Sequence, residues 1–253
     1  MKYFEFGKEN PVTLMLLHGV NTTWKLSFAD FIEVAKHKYH IIAVAEDGFN
    51  PDEPEVEAVS VIAEAKKITE YIVENFDGKL DIILGESLGC MIMTEILLDP
   101  RIRVHTAIAD GFTILEYPNF KHEWPKHLLA SFLTGVEYFA FNHMSFFNKI
   151  LGEDIDAMLY KKVSRKSLYN LEYSMMPYRY KYEAYNRSDS YLWHGEKEPG
   201  LKHVLKKIDR DKYHFAHKVF LNRGHGSLLL EPERMLHEVD LAYKGYKGRI
   251  RTK

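Results

Sequence analysis

The chain has 253 residues, of which 46% are hydrophobic and 28% are charged. Such a chain can bury a sizeable core, which excludes the low hydrophobicity and high charge typical of disordered proteins. Its 34 basic and 36 acidic residues leave a formal net charge of −2, so no global field favours nucleic acid or an anionic membrane as a partner. At this length we expect a single domain with an inserted lobe.

The cysteine content and the first residues bear on the cellular compartment. Cys90 is the one cysteine of the sequence, which excludes an internal disulfide framework and a multi-thiolate zinc or iron–sulfur site. The first ten residues carry four charged side chains and lack the apolar core of a secretory signal. Residues 128–147 are the longest promising apolar stretch, but polar residues such as Glu137 interrupt it, so we predict no membrane span. We therefore expect a cytoplasmic protein.

Short apolar runs alternate along the chain with longer helical patterns, which is typical of a parallel sheet with crossover helices. Fully apolar runs of this kind indicate strands that are buried on both faces. The predicted strands cover residues 12–17, 41–45, 80–84, 104–109, 191–193 and 218–221, and the predicted helices cover residues 56–72 and 91–98. Residues 244–253 hold basic residues and no acid, which predicts a solvated tail. The predicted fold class is α/β, with a mostly parallel central sheet and helices on both faces.

Residues 117–185 differ from the rest of the chain in composition and in periodicity. Sixteen of the 34 aromatic residues lie there, and the apolar residues recur at helical spacing. We interpret this segment as a helical cap inserted into the single domain, above the carboxyl ends of the strands, where open α/β folds bind ligands. Met175 and Met176 would make such a pocket wall adaptable. The alternative is that these aromatic side chains only seal the insertion to the body.

Residues 85–89, with the sequence GESLG, fit the Gly-x-Ser-x-Gly pattern between a predicted strand and a predicted helix. A serine at such a sharp turn adopts a strained backbone, and the two glycines avoid collisions where the strand and the helix approach each other. The turn places Ser87 at a helix N-terminus, where unpaired N–H groups and the helix dipole favour developing negative charge. Ser87 is therefore the predicted nucleophile.

A serine hydroxyl is a poor nucleophile alone and needs a base and an orienting acid. His225 is the predicted base because it directly follows the last predicted strand, within residues 222–227 (NRGHGS). The glycines on either side allow the loop to aim an imidazole. Twelve other histidines compete, and the position in the chain favours His225.

In this order, the strand before His18, the serine turn, the helical insertion, residues 194–199 (HGEKEP) and the loop of His225 resemble the α/β-hydrolase superfamily over nearly the whole chain. In that family an acid commonly follows the penultimate strand, and the matching position is Glu198. Glutamate in place of aspartate departs from the common pattern, although the superfamily allows it. Because the longer side chain reaches further, Glu196 is the second candidate. Asp110 is the third, since some relatives place their acid after that strand.

The resemblance also implies an oxyanion hole made by two backbone N–H groups. One belongs to Leu88, after the nucleophile, and Val20 on the loop after the first strand is the candidate for the other. Glu86 resembles the Gly-Glu-Ser of some carboxylesterases, and a carboxylate bonded within the fold is an equal alternative. Cys90 is predicted to be a small core residue.

The sequence carries no metal-binding or nucleotide-binding motif, so we predict neither a metal nor a cofactor. With serine at the turn, the resemblance implies an acyl-enzyme route. The predicted function is a cofactor-independent serine hydrolase with the triad Ser87, His225 and Glu198, acting on a small-molecule carboxylic ester with an apolar portion. Thioester, amide and carbon–carbon bond hydrolysis, acyl transfer and a non-catalytic receptor of the same fold stay open. The sequence does not determine the oligomeric state.

Overall fold

A computed structural model describes residues 1–112, 120–143, 159–177, 181–198, 200–211, 215–226, 228–245 and 250–252 of the chain. The described residues form strands, α-helices and one 3₁₀ helix. In chain order the elements are β1 (Lys2–Phe6), β2 (Thr13–Leu17), α1 (Trp24–Ala35), β3 (His40–Ala45), α2 (Val61–Phe76), β4 (Lys79–Glu86), α3 (Leu88–Leu98), β5 (Arg103–Asp110), α4 (Glu123–Asn142), α5 (Arg165–Met175), the 3₁₀ helix (Tyr182–Arg187), β6 (Asp189–Gly195), α6 (Leu201–Asp211), β7 (Ala216–Phe220), α7 (Pro232–Tyr243) and β8 (Ile250–Thr252).

The strands form one sheet in the order β1-β3-β2-β4-β5-β6-β7-β8. All neighbouring pairs are parallel except β1 and β3, which are antiparallel. The register aligns the carboxyl ends of the central strands, because Glu86 at the end of β4 lies opposite Asp110, and Asp110 lies opposite Trp193 of β6. The predicted α/β class with a mostly parallel sheet is confirmed.

Helices cover both faces of the sheet, as the apolar strands require. One core cluster joins the sheet to α2, α3 and α5 and includes Ile83 and Ile92. The other joins the opposite face to α1 and α7 and includes Phe28, Trp193 and Met235. Because each strand of the centre is buried on both faces, the side chains that leave the sheet at its carboxyl edge are the ones free to form a site.

Several sequence-based expectations differ from the structure. Helix α2 begins at Val61 rather than at residue 56, because the hydroxyl of Ser60 caps it by accepting a hydrogen bond from the N–H of Ala63 at 3.1 Å. The edge strand β1 was not predicted, and residues 250–252 of the predicted tail pair with β7 as strand β8. Both missed strands lie at the edges of the sheet. An edge strand pairs with one neighbour and does not need the uninterrupted apolar run that marks a central strand.

The predicted cap at residues 117–185 lies partly outside the described residues, which omit residues 113–119, 144–158 and 178–180. Helices α4 and α5 pack against each other, and α5 also contacts α2. Met176 is buried and Met175 packs against the core. The large apolar side chains spaced along α4 are exposed, namely Trp124, Leu128, Phe132, Val136 and Phe139. In the part of the chain that the structure describes, no helix is long and apolar enough to cross a membrane.

Candidate functional site

The turn between β4 and α3 has the strained geometry that the sequence predicts for Ser87. Ser87 has φ 52° and ψ −110°, a backbone conformation that costs a non-glycine residue energy. A Cβ atom at Gly85 would lie 2.6 Å from the carbonyl oxygen of Gly89, and one at Gly89 would lie 2.4 Å from the carbonyl oxygen of Leu17. Only glycine therefore allows the first turn of α3 to pack this closely on β4 and β2. The N–H of Ser87 donates to the carbonyl of Asp110 at 2.9 Å, which anchors the turn to β5.

His225 and Glu198 meet at the same edge of the sheet. The Nδ1 atom of His225 lies 2.7 Å from Oε1 of Glu198, and the side chain of Glu198 is fully buried. The two loops are held together by backbone contact, since a Cβ at Gly195 would lie 2.0 Å from the carbonyl oxygen of Gly224. The N–H of Lys197 also donates to the carbonyl of Arg223 at 2.9 Å. The loops after β6 and β7 thus fix the imidazole against the carboxylate.

The environment of Glu198 stabilises its ionised form. Burial would by itself raise the pKa of this carboxyl group, but hydrogen bonds from His194 and His225 outweigh burial and lower the pKa to about 2. The contact of His194 joins its Nδ1 to Oε2 of Glu198 at 3.3 Å. Both carboxylate oxygens therefore accept a hydrogen bond from an imidazole. Glu198 is charged throughout the physiological pH range and can orient His225.

A second carboxylate, that of Glu86, faces the other nitrogen of the same ring. Oε1 of Glu86 lies 3.4 Å from Nε2 of His225. Burial alone would lower the pKa of the imidazole, but the hydrogen bonds with Glu198 and Glu86 outweigh it and raise the pKa to about 11. Between the described residues Ser87 and His225 there is no hydrogen bond. The resting structure thus pairs Nε2 with Glu86.

The two predicted oxyanion donors lie on neighbouring backbone segments. The N–H of Leu88 is in the first turn of α3, where helical N–H groups lack an intrahelical acceptor. His18 is fully buried, and burial lowers its pKa to about 4, so the ring is neutral. Its Nδ1 donates to the carbonyl of Gly19 at 2.8 Å. Because a trans peptide directs its C=O and N–H oppositely, this bond also fixes the direction of the N–H of Val20.

The other candidate acids occupy different environments. The carboxylate of Glu196 accepts a hydrogen bond from the N–H of Asn222 at 3.1 Å in an exposed position. Asp110 is fully buried, and burial together with the charges of Glu86 and Glu198 raises the pKa of its carboxyl group well above the ordinary value. Among the residues that the structure describes, neither Glu196 nor Asp110 forms a hydrogen bond with the ring of His225. Of the three candidates, Glu198 is the one in contact with that ring.

Cys90 packs beneath the serine turn. Its side chain is buried, and its thiol donates to the carbonyls of Gly85 at 3.0 Å and Asp110 at 3.3 Å. Burial raises the pKa of the thiol well above its ordinary value, which keeps it in the unreactive neutral form. The described residues contain no group of three or more His, Cys, Asp and Glu side chains that could hold a metal ion.

Two residues of the site were not singled out from the sequence. Gly111 has φ 67°, and a Cβ there would lie 2.7 Å from Cε1 and 2.9 Å from Nδ1 of His225. The ring therefore rests directly on the backbone after β5. His194, the second partner of Glu198, was noted only as part of the motif. The available signal for Gly111 was its place directly after a predicted strand and Asp110. No local pattern marked His194 as a partner of Glu198.

Comparisons with solved structures define the fold. An α/β-hydrolase family protein from Desulfitobacterium hafniense superposes with a TM-score of 0.73 at 22% identity, covering 94% of this chain and 98% of that one. An esterase from Thermogutta terrifontis gives 0.74 at 14% identity, covering 98% and 94%. A carboxylesterase from Bacillus subtilis gives 0.66 at 16% identity, covering 96% and 87%. The chain has the α/β-hydrolase fold.

Sequence comparison adds a partial relative. The chain is 29% identical over 108 residues to a kynurenine formamidase from Debaryomyces hansenii. The match covers 38% of this chain and 35% of that protein, so the chain spans about a third of the length of this curated relative. No protein-family model matches the chain.

Proposed function

We propose that the protein is a serine hydrolase that acts through an acyl-enzyme on carboxylic esters with an apolar portion. The observation that carries the proposal is the strained backbone of Ser87 at the N-terminus of α3, beside the 2.7 Å contact between His225 and Glu198. A strained backbone conformation that non-glycine residues rarely adopt persists where the surrounding structure enforces it, and such residues cluster at active sites. The fold's esterase neighbours support the reaction class.

In the proposed mechanism, Ser87 Oγ attacks the acyl carbonyl while Nε2 of His225 takes its proton. Glu198 holds the ring and stabilises the imidazolium. The N–H groups of Leu88 and Val20 receive the oxygen of the tetrahedral intermediate. The imidazolium then protonates the leaving alcohol. Water, deprotonated by the same ring, then attacks the acyl-enzyme, and the imidazolium returns the proton to Ser87 Oγ as the acid leaves.

The charges around Ser87 favour a neutral acyl group. Glu86 directly precedes the serine, and Glu198 is ionised one imidazole ring away. A carboxylate-bearing substrate would have to approach both charges in a partly buried site, where Coulomb repulsion is stronger than in water. The proposed ester is therefore uncharged on its acyl side.

A second candidate reaction is the hydrolysis of a formamide. It is favoured by the partial match to the kynurenine formamidase of Debaryomyces hansenii. The same triad would serve, because attack on a formyl carbon needs the same nucleophile, base and oxyanion donors. Formyl and longer acyl substrates distinguish the two candidates, since a formyl group requires no apolar acyl pocket.

Reaction with a fluorophosphonate tests the nucleophile. The intact protein should gain one equivalent of probe, because an activated hydroxyl reacts where ordinary serines do not. Ser87→Ala should abolish the mass increase, as measured by intact-protein mass spectrometry. The matched control is Ser131→Ala on the exposed face of α4, which should be labelled like the parent.

The possible outcomes of the labelling experiment distinguish the hydrolase from the alternatives. Labelling that persists in Ser87→Ala, or that never occurs in the parent, contradicts the proposal. Labelling of Ser87, together with release of p-nitrophenol from p-nitrophenyl butyrate by the unlabelled protein, supports the hydrolase. Labelling with no turnover of any ester or formamide would instead support a receptor of this fold.

A further inference from the structure

The Nε2 atom of His225 has a partner that the hydrolytic mechanism does not use. Oε1 of Glu86 lies 3.4 Å from it, while Oε1 of Glu198 lies 2.7 Å from Nδ1. A neutral imidazole carries one N–H and can satisfy only one of these carboxylates, whereas the imidazolium donates to both. The contacts on the two nitrogens therefore suit the charged ring.

Packing holds the Glu86 carboxylate in this position. A Cβ at Gly19 would lie 2.1 Å from Oε2 of Glu86, and a Cβ at Gly226 would lie 3.6 Å from Oε1. The carboxylate thus sits between the loop after β2 and the loop of His225, with 6% of its side chain exposed. Because Gly19 and Gly226 have no side chains, the Glu86 carboxylate packs directly against backbone atoms. Backbone atoms cannot rotate away as the atoms of a side chain can.

The titratable groups that face this pair are acidic. Asp110 at the end of β5, Glu46 directly after β3 and Glu198 after β6 all interact electrostatically with Glu86 or with His225. His194 reaches the pair only through Glu198. Among the described residues, His225 is the cation that is ion-paired with Glu86. The imidazolium is therefore the group that compensates the Glu86 charge.

We propose that Glu86 is a positioning residue that holds His225 as the imidazolium in the resting protein and so sets the pH at which the ring becomes a free base. This inference rests on the proposed function, in which Nε2 must accept the proton of Ser87. Before that transfer, the proton on Nε2 has to leave to solvent, and the Glu86 charge opposes its departure. Removing the charge while keeping the shape should therefore release the base at lower pH.

Nuclear magnetic resonance of the His225 ring tests this directly. The pH at which its Cε1–H signal titrates should fall by at least one unit in Glu86→Gln, which is a tenfold change in the ionisation constant. The rate of fluorophosphonate reaction at pH 7 should rise about tenfold, because the fraction of free base rises by that factor. The matched control is Glu33→Gln, an exposed carboxylate of α1, which should change neither quantity.

A purely structural role predicts a different result. Loss of packing would slow labelling without moving the titration of His225, and an unchanged titration in Glu86→Gln would overturn the proposal. If Glu86→Gln does not fold, Glu86→Asp keeps the charge but withdraws it from Nε2, and a smaller fall of the titration midpoint is expected. A shifted midpoint in a protein whose Ser87 is never labelled would support this role for Glu86 and contradict the hydrolase. The two failures are thus distinguishable.

Discussion

Glu198 and Asp110 both interact electrostatically with the imidazole of His225, but their surroundings give the two carboxyl groups different ionisation states. Glu198 accepts from two rings and has a pKa lowered to about 2, against the effect of burial. Asp110 is buried without such donors, and the pKa of its carboxyl group is raised by burial and by the charges of Glu86 and Glu198. Glu198 is therefore an anion next to His225, whereas Asp110 is kept neutral.

Amide substitutions should separate these roles. Glu198→Gln should lower kcat by about 10⁴, because the amide neither stabilises the imidazolium nor holds the correct tautomer. Asp110→Asn resembles the protonated acid that is already present and should stay much closer to the parent. Steady-state kinetics with a p-nitrophenyl ester measure both.

Glu196→Gln is the matched control for this comparison, since it lies two residues from Glu198 and its carboxylate faces Asn222. It should retain nearly full activity. If Asp110→Asn were the most damaged variant while Glu198→Gln remained active, the acid would have to be assigned to β5 instead.

At the scale of elements, the contact between α4 and α5 contains a pair of carboxyl groups. Burial, the charge of Glu172 and a hydrogen bond with it raise the pKa of Glu137 to about 8. Glu172 lies on α5 and is buried. The pair shares a proton near neutral pH, as two carboxyl groups in contact cannot both ionise without strong repulsion.

This pair makes the stability of the protein depend on pH. Glu137 binds its proton more tightly in the folded chain than in the unfolded chain, so the free energy of unfolding should fall as pH rises from about 4.5 through 8. One such group contributes a slope of at most about 1.4 kcal/mol per pH unit. Glu137→Gln should flatten the pH dependence of Tm between pH 6 and 9, as measured by circular dichroism.

The control variant is Glu123→Gln on the same helix. Hydrogen bonds from Lys126 and Tyr173 lower the pKa of Glu123, so this residue is charged over the whole range tested. It should leave the pH dependence unchanged. A Tm that falls equally in Glu137→Gln and in the parent would show that another group is responsible.

At the scale of the whole molecule, the sheet brings the candidate site together, whereas α4 packs against α5 and presents a row of large apolar side chains to solvent. The exposed fractions of Trp124, Leu128, Phe132, Val136 and Phe139 on α4 range from 50% for Val136 to 66% for Phe132. These side chains therefore do not seal α4 to the body.

A series of p-nitrophenyl esters from acetate to octanoate tests for an apolar acyl pocket. The value of kcat/KM should rise by up to about 0.8 kcal/mol for each buried methylene and then fall when the pocket is full. The mono-ester of succinate serves as the charged comparator and should react more slowly than the butyrate, because Glu86 and Glu198 repel it. A flat profile, or a preference for succinate, would contradict the pocket and leave the triad in place.

The sequence predicted the elements whose signal is local and strong. The central strands were predicted because burial on both faces requires uninterrupted apolar runs, as in residues 80–84. The turn at Ser87 was predicted because close packing of β4 and α3 demands glycine at both flanking positions. Edge strands β1 and β8 were missed because pairing with a single neighbour suffices to form them. The composition of their sequence segments therefore carries little sign of a strand.

For the site, the sequence by itself determined the residue types and their order along the chain: a serine between glycines, a histidine between glycines and an acid after the penultimate strand. Only the tertiary structure decided which carboxylate meets which nitrogen. Glu196 and Glu198 are two residues apart, and the turn after β6 buries one and exposes the other. The place of Glu86 at Nε2 depends on three loops that are distant in sequence, because contacts between such loops arise from strand order and leave no local pattern.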